Sequence, residues 1–72
     1  MRDINIPDSS NIAAVRYDDD TQTLQVDFKN GGATYEYANV PKDVAEGFES
    51  APSAGKYFHA NIRLGGYDYK KI

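Results

Sequence analysis

Gly32-Ala33-Thr34-Tyr35-Glu36-Tyr37-Ala38-Asn39-Val40-Pro41 is the stretch on which the fold turns. A glycine pair precedes it and a proline ends it, so the segment between reads as a strand running into a helix. Tyr35 and Tyr37 stand two residues apart and therefore share one face of that strand. Both rings belong to the core, or both are offered to a ligand as stacking platforms. The preceding segment favours the core: Leu24, Val26 and Phe28 alternate with Gln25, Asp27 and Lys29, the pattern of a strand with one wet face. Asn30-Gly31-Gly32 supplies the positive φ angles of a tight hairpin between the two.

Working upstream, Ile12 to Tyr17 reads as a further strand with Ala13, Val15 and Tyr17 inward, and Asp18-Asp19-Asp20-Thr21-Gln22 as the turn that follows. The three aspartates lack the alternate ligands, central glycine and closing glutamate of an EF-hand, so they read as a solvated hairpin tip. Residues 1–9 show no sustained periodicity and are expected to be loosely ordered. Downstream, Pro41 opens a helix with Asp43 in its first turn, and Val44, Phe48 and Ala51 recur at near-helical spacing. Gly47 costs that helix about 1 kcal/mol relative to alanine and hints at a close backbone contact. Pro52 ends it; Ser53 caps a second short helix in which Tyr57 or Phe58 shares a side with Ile62, and Gly65-Gly66 stops that one. The tail from Tyr67 to Ile72 alternates and suits an edge strand. These elements define an α+β fold: a three-stranded antiparallel meander with two short helices on one face and a possible C-terminal edge strand.

Composition bounds the chemistry. Seventy-two residues make one small domain, residues 1–72, with little core to spare. Without cysteine there is no disulfide and no thiolate zinc site, and His59 is the only histidine, so no metal or other cofactor is expected. No apolar run suits a membrane span or a signal peptide, which gives a cytoplasmic reading with no membrane partner. A formal charge of -3 argues against broad attraction to nucleic acid, but the charge is uneven. Residues 53–72 carry Lys56, Arg63, Lys70 and Lys71 against Asp68 alone, a net of +3, which leaves -6 for residues 1–52.

The candidate binding surface lies in that basic third. Lys56, His59 and Arg63 stand at i, i+3 and i+7 on one face of the second helix, and Lys70 and Lys71, with Tyr67 and Tyr69 interleaved, extend the strip. Cations beside aromatics suit a phosphate backbone with splayed bases, so RNA is the leading partner; a solvated helix face is the competing reading. Asp27 and Glu36 sit at polar alternation positions, facing solvent opposite Lys29 or Arg16 rather than forming an acid/base pair. Neither a nucleophile beside His59 nor a small-molecule site is evident, so no enzyme activity is expected. The alternative function is a protein-interaction module, self-association included, working through a sheet edge or the open sheet face.

Several landmarks in order, Ser9-Ser10-Asn11-Ile12, Val15 with Tyr17-Asp18, Leu24-x-Val26-x-Phe28, Tyr35-x-Tyr37, Val40-Pro41, Ala51-x-Ser53-x-Gly55-Lys56-Tyr57-Phe58 and Ile62-Arg63, resemble the KTSC domain. That family is named for its occurrence at the C-terminus of some lysyl-tRNA synthetases and also occurs as free-standing bacterial proteins. The resemblance spans roughly residues 9–69. It implies a small binding module of no established activity, for which RNA binding is suggested by the family's association with a tRNA-handling enzyme, and in which Tyr35 and Tyr37 are family landmarks with a structural role. At His59 the chain departs from the family pattern, where an asparagine is expected after the aromatic pair.

Overall fold

In the computed structural model, which describes residues 1–72, the alternating segments pair as a single antiparallel sheet. Its strands are β1 (Arg2–Ile4), β2 (Ile12–Asp18), β3 (Thr23–Phe28), β4 (Thr34–Tyr37) and β5 (Tyr69–Lys71), in the order β1-β2-β3-β4-β5. Between β4 and β5 the chain crosses one face as two short helical segments. The first is α1 (Lys42–Glu46), which tightens into a 3-10 turn at Gly47–Ser50. The second is α2 (Ala54–Tyr57), which widens into a π-helical turn at Phe58–Ile62 and closes with a 3-10 turn at Arg63–Gly65.

The sheet thus has five strands where the alternation indicated three. β5 is the edge strand that the tail suggested, paired with β4 through Tyr37↔Tyr69 and Tyr35↔Lys71. β1 falls where a loosely ordered lead-in was expected, and three residues are too few to show a period. Two side chains hold it: Ile4 is buried, and Arg2 donates to Asp19 at 3.0 and 3.1 Å and to Glu46 at 2.7 Å. β2 departs from strict alternation as well. The register shifts between Ile12 and Ala14, a bulge at Ala13 that exposes this residue and lets both Ile12 and Val15 face the core.

α1 and α2 bury Ala45, Phe48, Ala54 and Ile62 against Ile12, Val15, Tyr17, Leu24 and Val26. Two tyrosines complete the layer by giving their hydroxyl protons to backbone carbonyls. Tyr17 donates to Val40 O at 2.5 Å, and Tyr57 donates to Val44 O at 2.5 Å. The Tyr57 ring also packs on Phe48, 4.7 Å between centroids, and lies so close over Gly47 that a Cβ there would stand 2.0 Å from its hydroxyl. Gly47 therefore has the close contact its sequence position hinted at.

On the other face of the sheet the polar positions form a ladder. Arg16 makes two 2.8 Å bonds to Asp27, which also accepts from Thr34 Oγ1 at 2.6 Å; Gln25 donates to Glu36 at 3.0 Å, and Lys70 lies 3.7 Å from Glu36. Asp27 and Glu36 are committed to these partners, as solvent-facing strand positions should be. The Arg16 guanidinium, then the Thr34 hydroxyl, hold the Asp27 carboxyl below its ordinary pKa.

Candidate nucleic-acid interface

On the helix-facing side of the sheet, Phe28 of β3, Tyr35 and Tyr37 of β4 and Tyr69 of β5 line a trough together with Phe58 and Arg63. Phe28 is 5.7 Å from Tyr35 and 5.2 Å from Phe58, edge to face, and Phe58 is 5.8 Å from Tyr37. Tyr69, on the edge strand, stacks on Tyr37 at 5.4 Å with planes 30° apart, and its own ring is 67% exposed with the rest of the residue. Offset and edge-to-face arrangements are the favourable ones for aromatic pairs, so the trough is a packed platform.

The π-helical turn places the charges above it. Its wider loop brings both Phe58 and Ile62 down to the sheet, Ile62 being buried, and leaves His59 and Arg63 on the flank that faces the trough. Such turns recur at functional sites. Arg63 lines the trough together with Phe28, Tyr35, Tyr37, Phe58 and Tyr69. Beyond His59 the trough continues into a polar alcove framed by Ser9, Asn11, Ser53 and Lys56, with Gly55 and His59 at the junction.

Electrostatically this surface is unspent. The ion pairs of the chain engage Arg2, Arg16 and Lys70; Lys56, Arg63 and Lys71 have no carboxylate partner. No carboxylate lines the aromatic trough. The hydroxyl of Tyr37 makes no hydrogen bond within the protein, and burial, then the neighbouring Tyr69 and Tyr35, push its pKa up while Arg63 opposes the shift.

The two family tyrosines divide between the readings available to them. Tyr37 is 5% exposed and belongs to the core, whereas Tyr35 is half-buried and lines the groove. Tyr35 meets Phe28 and Tyr37 meets Phe58; Phe48 serves Tyr57 instead. Of the basic strip, Lys56, His59 and Arg63 do share one flank. Tyr69 and Lys71 lie on the same side of the sheet as Tyr37 and Tyr35, their register partners. Lys70 does not join them: in β5 alternation turns it to the opposite face, where it meets Glu36. Tyr67 is also elsewhere, half-buried with its ring 2.7 Å from where a Gly65 Cβ would be. Sequence reasoning missed Phe28, Phe58 and Asn11 as groove residues, because all three read as strand or helix packing until the groove is known.

This fold and groove define a small α+β domain, and comparison with known proteins gives its family. The chain matches the KTSC domain over residues 8–70 and belongs to that family. It is similar to a lysine–tRNA ligase of Nostoc sp., 44% identical over 66 residues, which cover 92% of this chain but 11% of the ligase. It is also similar to an uncharacterized protein of Stutzerimonas stutzeri, 34% identical with 89% of each chain covered. The crystal structure of a KTSC domain protein from Yersinia pestis superposes with a TM-score of 0.84 at 35% identity, covering 94% of this chain and 93% of that one. No helix here is long and apolar enough to cross a membrane, and no group of three His, Asp or Glu side chains could hold a metal ion.

Proposed function

We propose that this domain is a non-catalytic RNA-binding module whose contact surface is the groove between α2 and strands β3, β4 and β5. One observation carries the reading: Arg63, without a carboxylate partner, lines a trough of aromatic rings that holds no carboxylate, while unpaired Lys71 stands in register with Tyr35 and unpaired Lys56 lies in the adjoining alcove with Asp8. Cations supply the phosphate attraction and rings the stacking surface, the two needs of an unstacked strand. The acidic remainder of the chain confines that attraction to one side of the molecule. Relationship to part of a lysine–tRNA ligase is in keeping with a tRNA-type partner.

Sheet-edge addition by a protein partner is the weaker reading. β1 and β5 are each three residues long, and β5 carries two lysines, both features that blunt an edge against further strands. Titration of the intact chain with tRNA tests the proposal. Three phosphate contacts give a log–log salt slope of about -2, and Lys56→Glu with Arg63→Glu lowers affinity by about tenfold or more. Absence of binding at low salt, or binding that the double variant leaves untouched, overturns it.

A further inference from the structure

We infer that the groove takes a single unpaired nucleotide of an RNA strand in a fixed direction, phosphate and ribose in the polar alcove and base in the aromatic trough. This rests on the RNA-binding reading and makes it specific. The two halves differ in chemistry: no apolar side chain lines the alcove, whereas five of the six residues of the trough's far end are aromatic. They share their junction. Asn11, Gly55 and His59 line both the alcove and the near end of the trough, and Arg63 continues along the trough to Tyr69. Ser9 Oγ accepts from the backbone N–H of Asn11 and Ile12, and Ser53 Oγ accepts from that of Lys56. Each serine therefore still has its O–H proton to donate to a phosphate or ribose oxygen. Lys56 adds charge to the same end, against a single carboxylate, Asp8.

Gly55 is the second observation. It sits inside α2, where glycine costs stability relative to alanine, yet neither its backbone nor its surroundings require it. The other glycines either lie under a tyrosine ring or adopt left-handed φ in turns; at Gly55 the nearest atoms to an added Cβ are Asn11 Nδ2 at 3.6 Å and Ser9 Oγ at 4.0 Å, ordinary contact. A methyl group there would fit the fold, and a longer side chain would extend into the passage between alcove and trough that Gly55 lines. The open passage is what the glycine provides. A paired base cannot enter it, since in an A-form duplex the rings are stacked inside. Acidic peptides would satisfy the cations but leave the trough's rings without a flat partner.

The test compares four probes on the intact, isotope-labelled chain by backbone amide shifts: a single-stranded RNA of about six nucleotides, a blunt duplex of the same sequence, a nucleoside monophosphate and poly-glutamate. The single strand is expected to shift Gly55, His59, Arg63 and Tyr69 together and to bind about tenfold more tightly than the duplex or poly-glutamate. The monophosphate is expected to move the same amides more weakly, which separates an unpaired position within a strand from a free nucleotide as the ligand. Gly55→Leu is expected to keep or raise the melting temperature while weakening the single strand by about tenfold; Tyr69→Ala removes the most exposed ring of the trough, at the cost of its stacking on Tyr37, and weakens it similarly. Equal binding of single strand and duplex, or native affinity in both variants, overturns the inference. If tRNA binding then still falls in the Lys56→Glu, Arg63→Glu variant, surface binding of RNA survives without the groove; if no RNA binds, both readings fall.

Discussion

Tyr17 is 1% exposed, and its buried hydroxyl answers the carbonyl of Val40, the residue at which β4 gives way to α1. Removing that hydroxyl leaves an acceptor unsatisfied in the core, so Tyr17→Phe is expected to lose about 1–2 kcal/mol of unfolding free energy in urea titrations. Gly47 is a sharper case because two effects oppose. Alanine gains about 1 kcal/mol of helix propensity. Its methyl, however, must displace a Tyr57 ring held by the bond to Val44 O and by Phe48, and overpacking of this kind costs about 1–3 kcal/mol. Crowding wins, and Gly47→Ala is expected to lower stability, with the Tyr57→Phe background relieving part of the loss by freeing the ring. An equal loss in both backgrounds would refute the crowding account.

Among the elements, β1 depends on two side chains, the buried Ile4 and Arg2. Arg2 spans from β1 to Asp19 in the β2–β3 turn and to Glu46 in α1, and its guanidinium lies 5.9 Å above the Tyr17 ring. Arg2→Ala is expected to speed amide exchange in β1 while β2, β3 and β4 keep their protection, because Ile4 alone then anchors the strand. The β2–β3 turn holds a second lever. Gln22 adopts φ of 57°, a conformation that costs a residue with a side chain about 1–2 kcal/mol, and its carbonyl accepts from Val40 N. Gln22→Gly keeps the carbonyl and removes the steric cost. An increase of about 0.5–1 kcal/mol in stability, measured by chemical denaturation, is the expected outcome.

At the scale of the molecule, ionisable groups set a window of stability. Asp27 has its pKa lowered below 3.8 by Arg16 and Thr34, so the stability it contributes is present above that value and is lost as pH falls toward the folded-state pKa. Tyr17, Tyr37 and Tyr57 have theirs raised above 10.0, chiefly by burial. Their contribution is present below pH 10.0 and is lost as pH rises through the folded-state values. Melting temperature against pH should therefore be flat between these limits and fall at both ends, and Asp27→Asn should flatten the acid limb alone. A fall centred near neutrality would contradict the assignment.

The amino-acid sequence by itself determined the class and the central strands. Alternation in Leu24–Phe28, the Asn30-Gly31-Gly32 turn and the Tyr35/Tyr37 spacing specify which faces pair and which are apolar, and these signals are local. It also carried the family landmarks and the basic C-terminal third. Only the tertiary structure decided that β1 joins the sheet, that a bulge turns Ala13 outward, and that Lys70 and Lys71 part company across β5. Those outcomes depend on partners far along the chain: Arg2 on Glu46, Lys70 on Glu36, Tyr69 on Tyr37. The same holds for the groove. Ser9 and Tyr35 line adjoining parts of one groove that meet at Gly55 because the helical segments pack back on the sheet, and that placement is a property of packing that no periodicity records.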